Sequence, residues 1–110
     1  LYTVRSRRSW GAGDFGDLAS LVDLAAERDL AFVGCSPLHA LRNADGDVSP
    51  YSPVSRRFRN VLYLDVEAVP ELADAPAARA LLGDAALAER LAALRATSRV
   101  DYEGVMAAKR

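Results

Sequence analysis

The sequence predicts an α/β fold in one domain that spans residues 1–110. Two short segments with strand character, residues 1–5 and 30–35, flank an amphipathic helix, and this order makes one βαβ unit. The spacing of leucines predicts further helices in the second half of the chain. A length of 110 residues suits one domain of ordinary size rather than two.

The first strand is predicted from the alternation of side chains in LYTVR, residues 1–5. Three glycines then indicate a loop over residues 6–16. Either Asp14 or Asp17 can cap the helix that follows, because an aspartate at this position accepts a hydrogen bond from a free backbone N–H group. Apolar residues three and four positions apart extend this helix over residues 17–29.

The apolar run LAFVGC, residues 30–35, suits a strand buried on both faces, parallel to the first strand and joined to it by a right-handed crossover. Residues 36–60 have neither helical nor strand periodicity. They contain a strong turn signal at residues 43–47 and the sequence SPYSP at residues 49–53. A long segment of this kind in a compact domain is usually functional or disordered, and its prolines favour a stiff, ordered loop.

The second half of the chain is predicted to be mostly helical. VLYLDV, residues 61–66, is a candidate for a third strand. A helix is predicted over residues 76–97, broken at Gly83 so that Asp84 caps its second piece. Asp101 is expected to cap a last helix. The second piece carries an apolar stripe of leucines at 87, 91 and 94.

The composition excludes several classes of protein. Basic and acidic residues number 14 and 15, so a strongly basic nucleic-acid clamp is not expected. One cysteine and one histidine cannot form a structural zinc site or an internal disulfide. No apolar run approaches the length of a membrane span, and no secretory signal is visible. We therefore expect a cytoplasmic protein without a nucleic-acid or membrane partner.

The loop Gly11-Ala12-Gly13-Asp14-Phe15-Gly16 matches the G-x-G-x-x-G pattern that binds pyrophosphate at a helix N-terminus. A small nucleotide-binding domain is therefore one alternative. The two aspartates close to this loop have the wrong charge for phosphates, and no acidic residue ends the second strand to bind a ribose. A tight turn that leads into a helix is the favoured interpretation.

The other candidates are single residues and short clusters. His39 has no nearby nucleophile with which to act, and a structural role is favoured for it. Asp45 and Asp47 resemble a glycosidase pair by type, although aspartate in a glycine turn has a backbone reason to occur. Cys35 and Phe58 are expected to be buried, the latter as an anchor of the loop.

Tyr51 is the most informative candidate. Pro50 and Pro53 hold the chain extended around it, and a stiff loop that presents one aromatic ring is suited to stacking against a sugar. Packing of the same ring into the core of the loop explains the pattern equally well. The sequence by itself leaves the two alternatives open.

Several segments together are similar to the beginning of the 4-alpha-glucanotransferases, also called amylomaltases or disproportionating enzymes, of glycoside hydrolase family 77. The similar segments, in chain order, are LYTVRS, WGAGDFGDL, FVGCSPLHAL, SPYSPVSRRFRN and LYLDVEAVPE, with a looser similarity at RVDYEGVMAAK. The chain departs from the family pattern at Ser36, Val54, Arg59 and Val61.

The resemblance implies that the chain is the N-terminal part of one (β/α)₈ TIM barrel of the alpha-amylase type, made of its first βαβ units plus inserted helices. Residues 1–5 and 30–35 become its first two strands. Active sites of such barrels lie at the C-terminal ends of the strands, from which both the glycine loop and the long loop leave.

The resemblance also implies a retaining transfer of α-1,4-glucan segments between maltooligosaccharides, with no metal or organic cofactor. The family's catalytic carboxylates belong to later strands, so no residue of this chain is assigned a catalytic role and the chain alone is expected to be inactive. Tyr51 and Ser49 are the implied substrate-binding residues. The residues implied to support the loops are Trp10, Asp14, His39, Pro50, Pro53, Arg56 and Asn60. The alternative is a non-catalytic α/β module that binds carbohydrate or another partner.

Overall fold

A computed structural model describes residues 1–110 as a mixed structure of four α-helices, three 3₁₀ helices and one small sheet. The α-helices are α1 (Phe15–Ala26), α2 (Pro76–Leu82), α3 (Ala85–Ala96) and α4 (Tyr102–Lys109). The strands are β1 (His39–Ala40) and β2 (Ser55–Arg59), and the 3₁₀ helices are Val61–Tyr63, Val66–Ala68 and Pro70–Asp74. None of these helices is long and apolar enough to cross a membrane.

The helix starts follow the predicted capping residues. Asp14 caps α1 in a reciprocal arrangement: its Oδ1 accepts from the backbone N–H of Asp17 at 3.0 Å, and Asp17 Oδ2 accepts from the backbone N–H of Asp14 at 3.1 Å. Asp84 accepts from the backbone N–H of Ala86, and Asp101 accepts from that of Gly104. The predicted break between α2 and α3 is confirmed. Helix α1 begins two residues before the predicted position 17 and ends at Ala26 rather than at 29.

The three predicted strands are absent, so the prediction of a parallel βαβ unit is wrong for this chain by itself. Residues 1–5 form a turn in which the Val4 N–H donates to the Leu1 carbonyl at 2.9 Å. Residues 30–35 are irregular and largely exposed. A strand exists only where a neighbouring segment accepts and donates its backbone hydrogen bonds, and neither segment has such a neighbour here.

The predicted third strand is replaced by 3₁₀ helices. A side-chain hydrogen bond of Asn60 explains why a helical turn forms here. Asn60 lies immediately before Val61–Tyr63, and its side-chain oxygen accepts from the backbone N–H of Leu62 at 3.0 Å. An asparagine that binds the backbone two residues ahead starts a turn rather than continuing a strand.

The sheet lies inside the long segment for which no regular structure was predicted. Strands β1 and β2 pair antiparallel, with His39 opposite Arg59 and Ala40 opposite Ser55, and the ladder is irregular between the two pairs. The Asn60 N–H donates to the Leu38 carbonyl at 3.0 Å just beyond the ladder. The sheet therefore closes this segment at its base.

The core lies between the glycine loop, the first 3₁₀ helix, α3 and α4. Its eight buried residues are Trp10, Ala12, Leu62, Tyr63, Leu91, Leu94, Val105 and Met106. The predicted leucine stripe of α3 contributes to this core, with Leu87 packed against its margin. Two further predictions about burial are wrong, since Cys35 is exposed and 68% of Phe58 is exposed. Neither residue has a packed layer on its outer side, because its segment runs over the surface.

The apolar side of α1 is also uncovered. Only Ala25 on that side is buried, and Phe32 in the following segment is 83% exposed. The residues that line this open apolar depression are Leu21, Leu24, Ala25, Arg28, Leu30, Phe32 and Val33. We call it the α1 apolar face.

Candidate functional site

The SPYSP segment forms a tight turn whose tip is Tyr51. The Ser52 N–H donates to the Ser49 carbonyl at 3.1 Å, and Pro50 is buried beneath the turn. Tyr51 itself is 71% exposed. Its ring is therefore not part of the loop's core in this chain, and a tight turn presents it to solvent.

A shallow depression of about 230 Å³ lies beside Tyr51. It is lined by Pro37, His39, Pro50, Tyr51, Pro53 and Arg56. The small sheet explains this convergence, because His39 belongs to β1 and Arg56 to β2, and their pairing brings both next to the turn. Five of the residues that the sequence analysis singled out thus lie together. We call this depression the Tyr51 depression.

The Tyr51 depression combines an aromatic ring with polar groups. Arg56 contributes an exposed guanidinium, and Ser49 is exposed on the same turn although it does not line the depression. Of the lining residues, His39 has a buried Nδ1 without a hydrogen-bond partner. A ring face beside hydroxyl, guanidinium and imidazole groups is the chemistry that binds a polyhydroxylated ring.

Asn60, which was predicted to support the loop, does not line the Tyr51 depression. It is only 2% exposed, and its side chain pairs with that of Asn43. Asn43 Nδ2 donates to Asn60 Oδ1 at 2.7 Å, and Asn60 Nδ2 donates to Asn43 Oδ1 at 3.1 Å. The sequence analysis identified Asn43 only as part of a turn and missed this pair, because nothing local shows that positions 17 apart will meet.

Trp10 and Asp14 do not line the Tyr51 depression. Trp10 belongs to the core, and its Nε1 donates to Glu67 Oε1 at 2.9 Å. Asp14 is buried at the start of α1, where it caps the helix. In this chain both residues hold the glycine loop in place, which is a structural contribution.

A cluster of charges that the sequence analysis did not identify surrounds Asp14. Arg8 hydrogen-bonds to Asp14 through Nη2 and to Asp65 through Nη1 at 2.7 Å, and its Nη2 lies 3.5 Å from an oxygen of Asp17. Burial acts to lower the pKa of Arg8, but the hydrogen bond to Asp14 and the charges of all three carboxylates outweigh it, so this pKa is raised. Arg8 therefore stays charged and joins three segments.

Lys109, at the end of α4, lies near the same carboxylates. Its Nζ donates to the carbonyls of Leu62 and Leu64 at 2.7 and 2.6 Å. Burial lowers its pKa, and the nearby carboxylates of Asp14, Asp65 and Asp17 oppose that change. This ammonium ties α4 to the first 3₁₀ helix.

The glycine loop has a structural explanation that needs no phosphate. Gly11 has a φ of +104°, which side chains rarely adopt, and a Cβ on Gly13 would lie 2.5 Å from the Leu1 carbonyl oxygen. The N-terminus of α1 already receives the carboxylate of Asp14. The loop is therefore the tight turn that the sequence analysis favoured over a nucleotide site. No group of three or more His, Cys, Asp and Glu side chains is placed to hold a metal ion.

Comparison with known proteins gives the family of this small mixed domain. A model of the 4-alpha-glucanotransferases, glycoside hydrolase family 77, matches residues 1–110, and the chain belongs to this family.

The chain is 40% identical over 110 residues to a 4-alpha-glucanotransferase of Haemophilus influenzae. The aligned region covers 99% of this chain and 16% of that protein. It is 51% identical over 84 residues to proteins of the same name from Mycobacterium bovis and Mycobacterium tuberculosis, covering 69% of this chain and 12% of each of those proteins. The chain thus spans 12–16% of the length of these curated relatives.

Proposed function

We propose that the protein to which this chain belongs transfers segments of α-1,4-glucan from one maltooligosaccharide to another. The family membership over all 110 residues and the shared name of the relatives support this proposal. The exposed free cysteine fits a reducing compartment, so the cytoplasm is the proposed location.

The chain is proposed to be the first part of a (β/α)₈ barrel. The α1 apolar face supports this, because exposed leucines and a phenylalanine in one depression need cover from other protein. Residues 1–5 and 30–35 are proposed to become neighbouring parallel strands once further strands supply their hydrogen bonds. In the chain alone, those partners are absent and the segments take other conformations.

The mechanism proposed for the whole protein is a retaining double displacement. A carboxylate attacks the anomeric carbon as the bond to the leaving oxygen breaks, and a carboxylic acid gives that oxygen its proton. A hydroxyl of a second glucan then attacks the glycosyl–enzyme, releases the carboxylate and returns a proton to the base. Both carboxyl groups are proposed to lie outside this chain, whose contribution is to bind and orient the glucan.

Tyr51 carries the binding role in this proposal. The single observation behind it is that the exposed ring stands on a proline-braced turn beside a polar depression. Its face can stack on the C–H face of a glucose ring, while Ser49 and Arg56 can bond sugar hydroxyls. Because the turn is rigid before substrate arrives, little entropy is lost when the sugar binds.

The test uses the full-length protein and maltotriose as the only substrate. Glucan transfer produces glucose together with maltooligosaccharides longer than maltotriose, which chromatography separates. Hydrolysis alone, or no reaction, would contradict the proposal. The 110-residue chain is the matched control and should form no product, because binding residues without a nucleophile cannot perform covalent catalysis. Binding of maltooligosaccharide by a full-length protein that forms no product would favour the alternative of a non-catalytic carbohydrate-binding module.

A further inference from the structure

The Asn43–Asn60 pair closes the segment that presents Tyr51. The two side chains exchange hydrogen bonds of 2.7 and 3.1 Å, and both residues are buried, with 6% and 2% of their surfaces exposed. The pair therefore holds together the two ends of the segment between positions 43 and 60, which includes the Tyr51 turn and β2. On the C-terminal side of this segment, β2 is also held by its pairing with β1.

Of the two residues of this pair, only Asn60 is bonded to the core. Asn60 Oδ1 also accepts from the N–H of Leu62, which is 1% exposed and belongs to the core. Asn43 has no comparable link to the core: its further side-chain bond is a long 3.4 Å contact to the Leu41 carbonyl. The orientation of the chain where it leaves Asn43 thus depends on its amide contacts with Asn60.

The backbone at Asn43 is suited to this task. Its φ is +53°, a left-handed conformation that asparagine tolerates better than most residues. The turn that follows has two more positive φ angles, at Asp45 and Gly46, so the chain reverses sharply within a few residues. The Val54 N–H donates to the Ala40 carbonyl at 3.0 Å, which ties down the C-terminal side of the Tyr51 turn. The N-terminal side has only residues 44–48, an arm between Asn43 and the turn, so a change in orientation at Asn43 is passed to the turn from that side.

We propose that Asn43 is a positioning residue for Tyr51. It does not touch substrate; it acts by holding the arm so that the Tyr51 ring and the groups of the Tyr51 depression keep their relative placement. This inference rests on the proposed binding role of Tyr51. It adds a residue that lies outside the depression and is identified by its hydrogen bonds.

The test is a double-mutant cycle in the full-length enzyme with maltotriose. Asn43→Gly keeps the left-handed backbone and removes the amide, whereas Asn43→Asp keeps the shape and removes the donor to Asn60 Oδ1. Each should lower kcat/KM about 10-fold by misplacing the ring. In a Tyr51→Ala background the same changes should have no further effect, because the group that they position is gone.

Asp45→Asn is the matched control. It lies in the same turn with a φ of +54°, and its exposed carboxylate contacts only Arg42, at 3.2 Å. This variant should retain kcat/KM within a factor of two. Melting temperatures of all variants separate misplacement of the ring from loss of the fold.

The outcomes are distinguishable. Suppose that Tyr51→Ala lowers kcat/KM. If the loss caused by each Asn43 variant then multiplies with the loss caused by Tyr51→Ala, or if the Asn43 variants cause no loss, Asn43 does not act through Tyr51. In either case this inference fails and the proposed role of Tyr51 stands. If neither Asn43 variant yields folded enzyme, Asn43 is required for the fold and the inference also fails. If Tyr51→Ala retains normal kcat/KM, the binding role proposed for Tyr51 fails first.

Discussion

Arg8 and Asp65, 57 positions apart in the chain, are joined by a 2.7 Å hydrogen bond from Nη1 to Oδ2. The same guanidinium binds Asp14 at the start of α1, so one side chain links the glycine loop, the first helix and the segment after the 3₁₀ helix Val61–Tyr63. Asp14 is only 2% exposed, and losing its cationic partner would leave a buried carboxylate with unsatisfied charge.

Replacing Arg8 by alanine should therefore destabilise the full-length protein. We expect a loss of about 1–2 kcal/mol, the lower part of the range for buried groups that lose a partner, because 44% of the Arg8 side chain is exposed and water can replace some of its contacts. Arg8→Lys should recover only part of this loss, since an ammonium cannot make the forked contact. Arg7→Ala removes a neighbouring exposed arginine and is the control. Equal denaturant midpoints for Arg8→Ala and Arg7→Ala would show that the cluster contributes nothing.

Ionisation of the buried Tyr63 phenol should lower the free energy of unfolding at alkaline pH. Burial raises the pKa of this phenol to about 12, with smaller contributions from Tyr102, Tyr2 and Cys35, whereas an unfolded tyrosine titrates near 10. The stability due to this group is therefore fully present below pH 10 and is lost as the pH rises to 12. At pH 11 the loss should be about 1 kcal/mol.

Tyr63→Phe isolates this effect from the titration of other groups. The Tyr63 hydroxyl is buried without a hydrogen-bond partner, so removing it should change stability at pH 8 by less than about 1 kcal/mol. Denaturant unfolding of both proteins at pH 8 and pH 11 provides the comparison. A pH dependence that is the same with and without the hydroxyl would refute the assignment to Tyr63.

Phe32 tests whether the α1 apolar face is covered in the whole protein. The side chain is 83% exposed in this chain, so an aspartate there would be harmless if it stayed exposed. In a complete barrel we expect Phe32→Asp to cost about 3 kcal/mol or more, through lost packing and a buried charge. Val54→Asp is the control, at a residue that is 64% exposed outside this face. Equal melting temperatures of the two full-length variants would argue against the barrel.

The sequence predicted best those features that depend on a few neighbouring residues. Caps at Asp14, Asp84 and Asp101 were correct because each carboxylate binds a backbone N–H within three positions. The turn at residues 43–47 was also correct, with left-handed residues where asparagine, aspartate and glycine stand.

Features that depend on distant partners were missed or wrong. Residues 30–35 have the composition of a buried strand, yet composition cannot supply the neighbouring strand that makes one. The Asn43–Asn60 pair and the Arg8–Asp65 contact join positions 17 and 57 apart, and no local pattern marks such pairs. At the candidate site, the prolines around Tyr51 predicted a stiff loop with an extended chain, whereas the structure forms a tight turn there. Only the structure brings His39 and Arg56 beside this turn.

Steady-state kinetics of Tyr51 variants in the full-length enzyme test the central claim most directly. An aromatic–sugar stack is worth on the order of 1–3 kcal/mol by analogy with base–aromatic stacking, so Tyr51→Ala should lower kcat/KM on the order of 10- to 100-fold with little change in melting temperature. A lower kcat would place the stack in the transition state, and a higher KM would place it in ground-state binding.

Two variants complete this measurement. Tyr51→Phe keeps the ring and should lose little activity. Phe58→Ala removes another exposed aromatic ring, 68% exposed on β2, and should leave kcat/KM near normal. Maltotriose disproportionation by Tyr51→Ala at the wild-type kcat/KM, or an equal loss in Phe58→Ala, would contradict the proposal that Tyr51 is the sugar-binding residue of this chain.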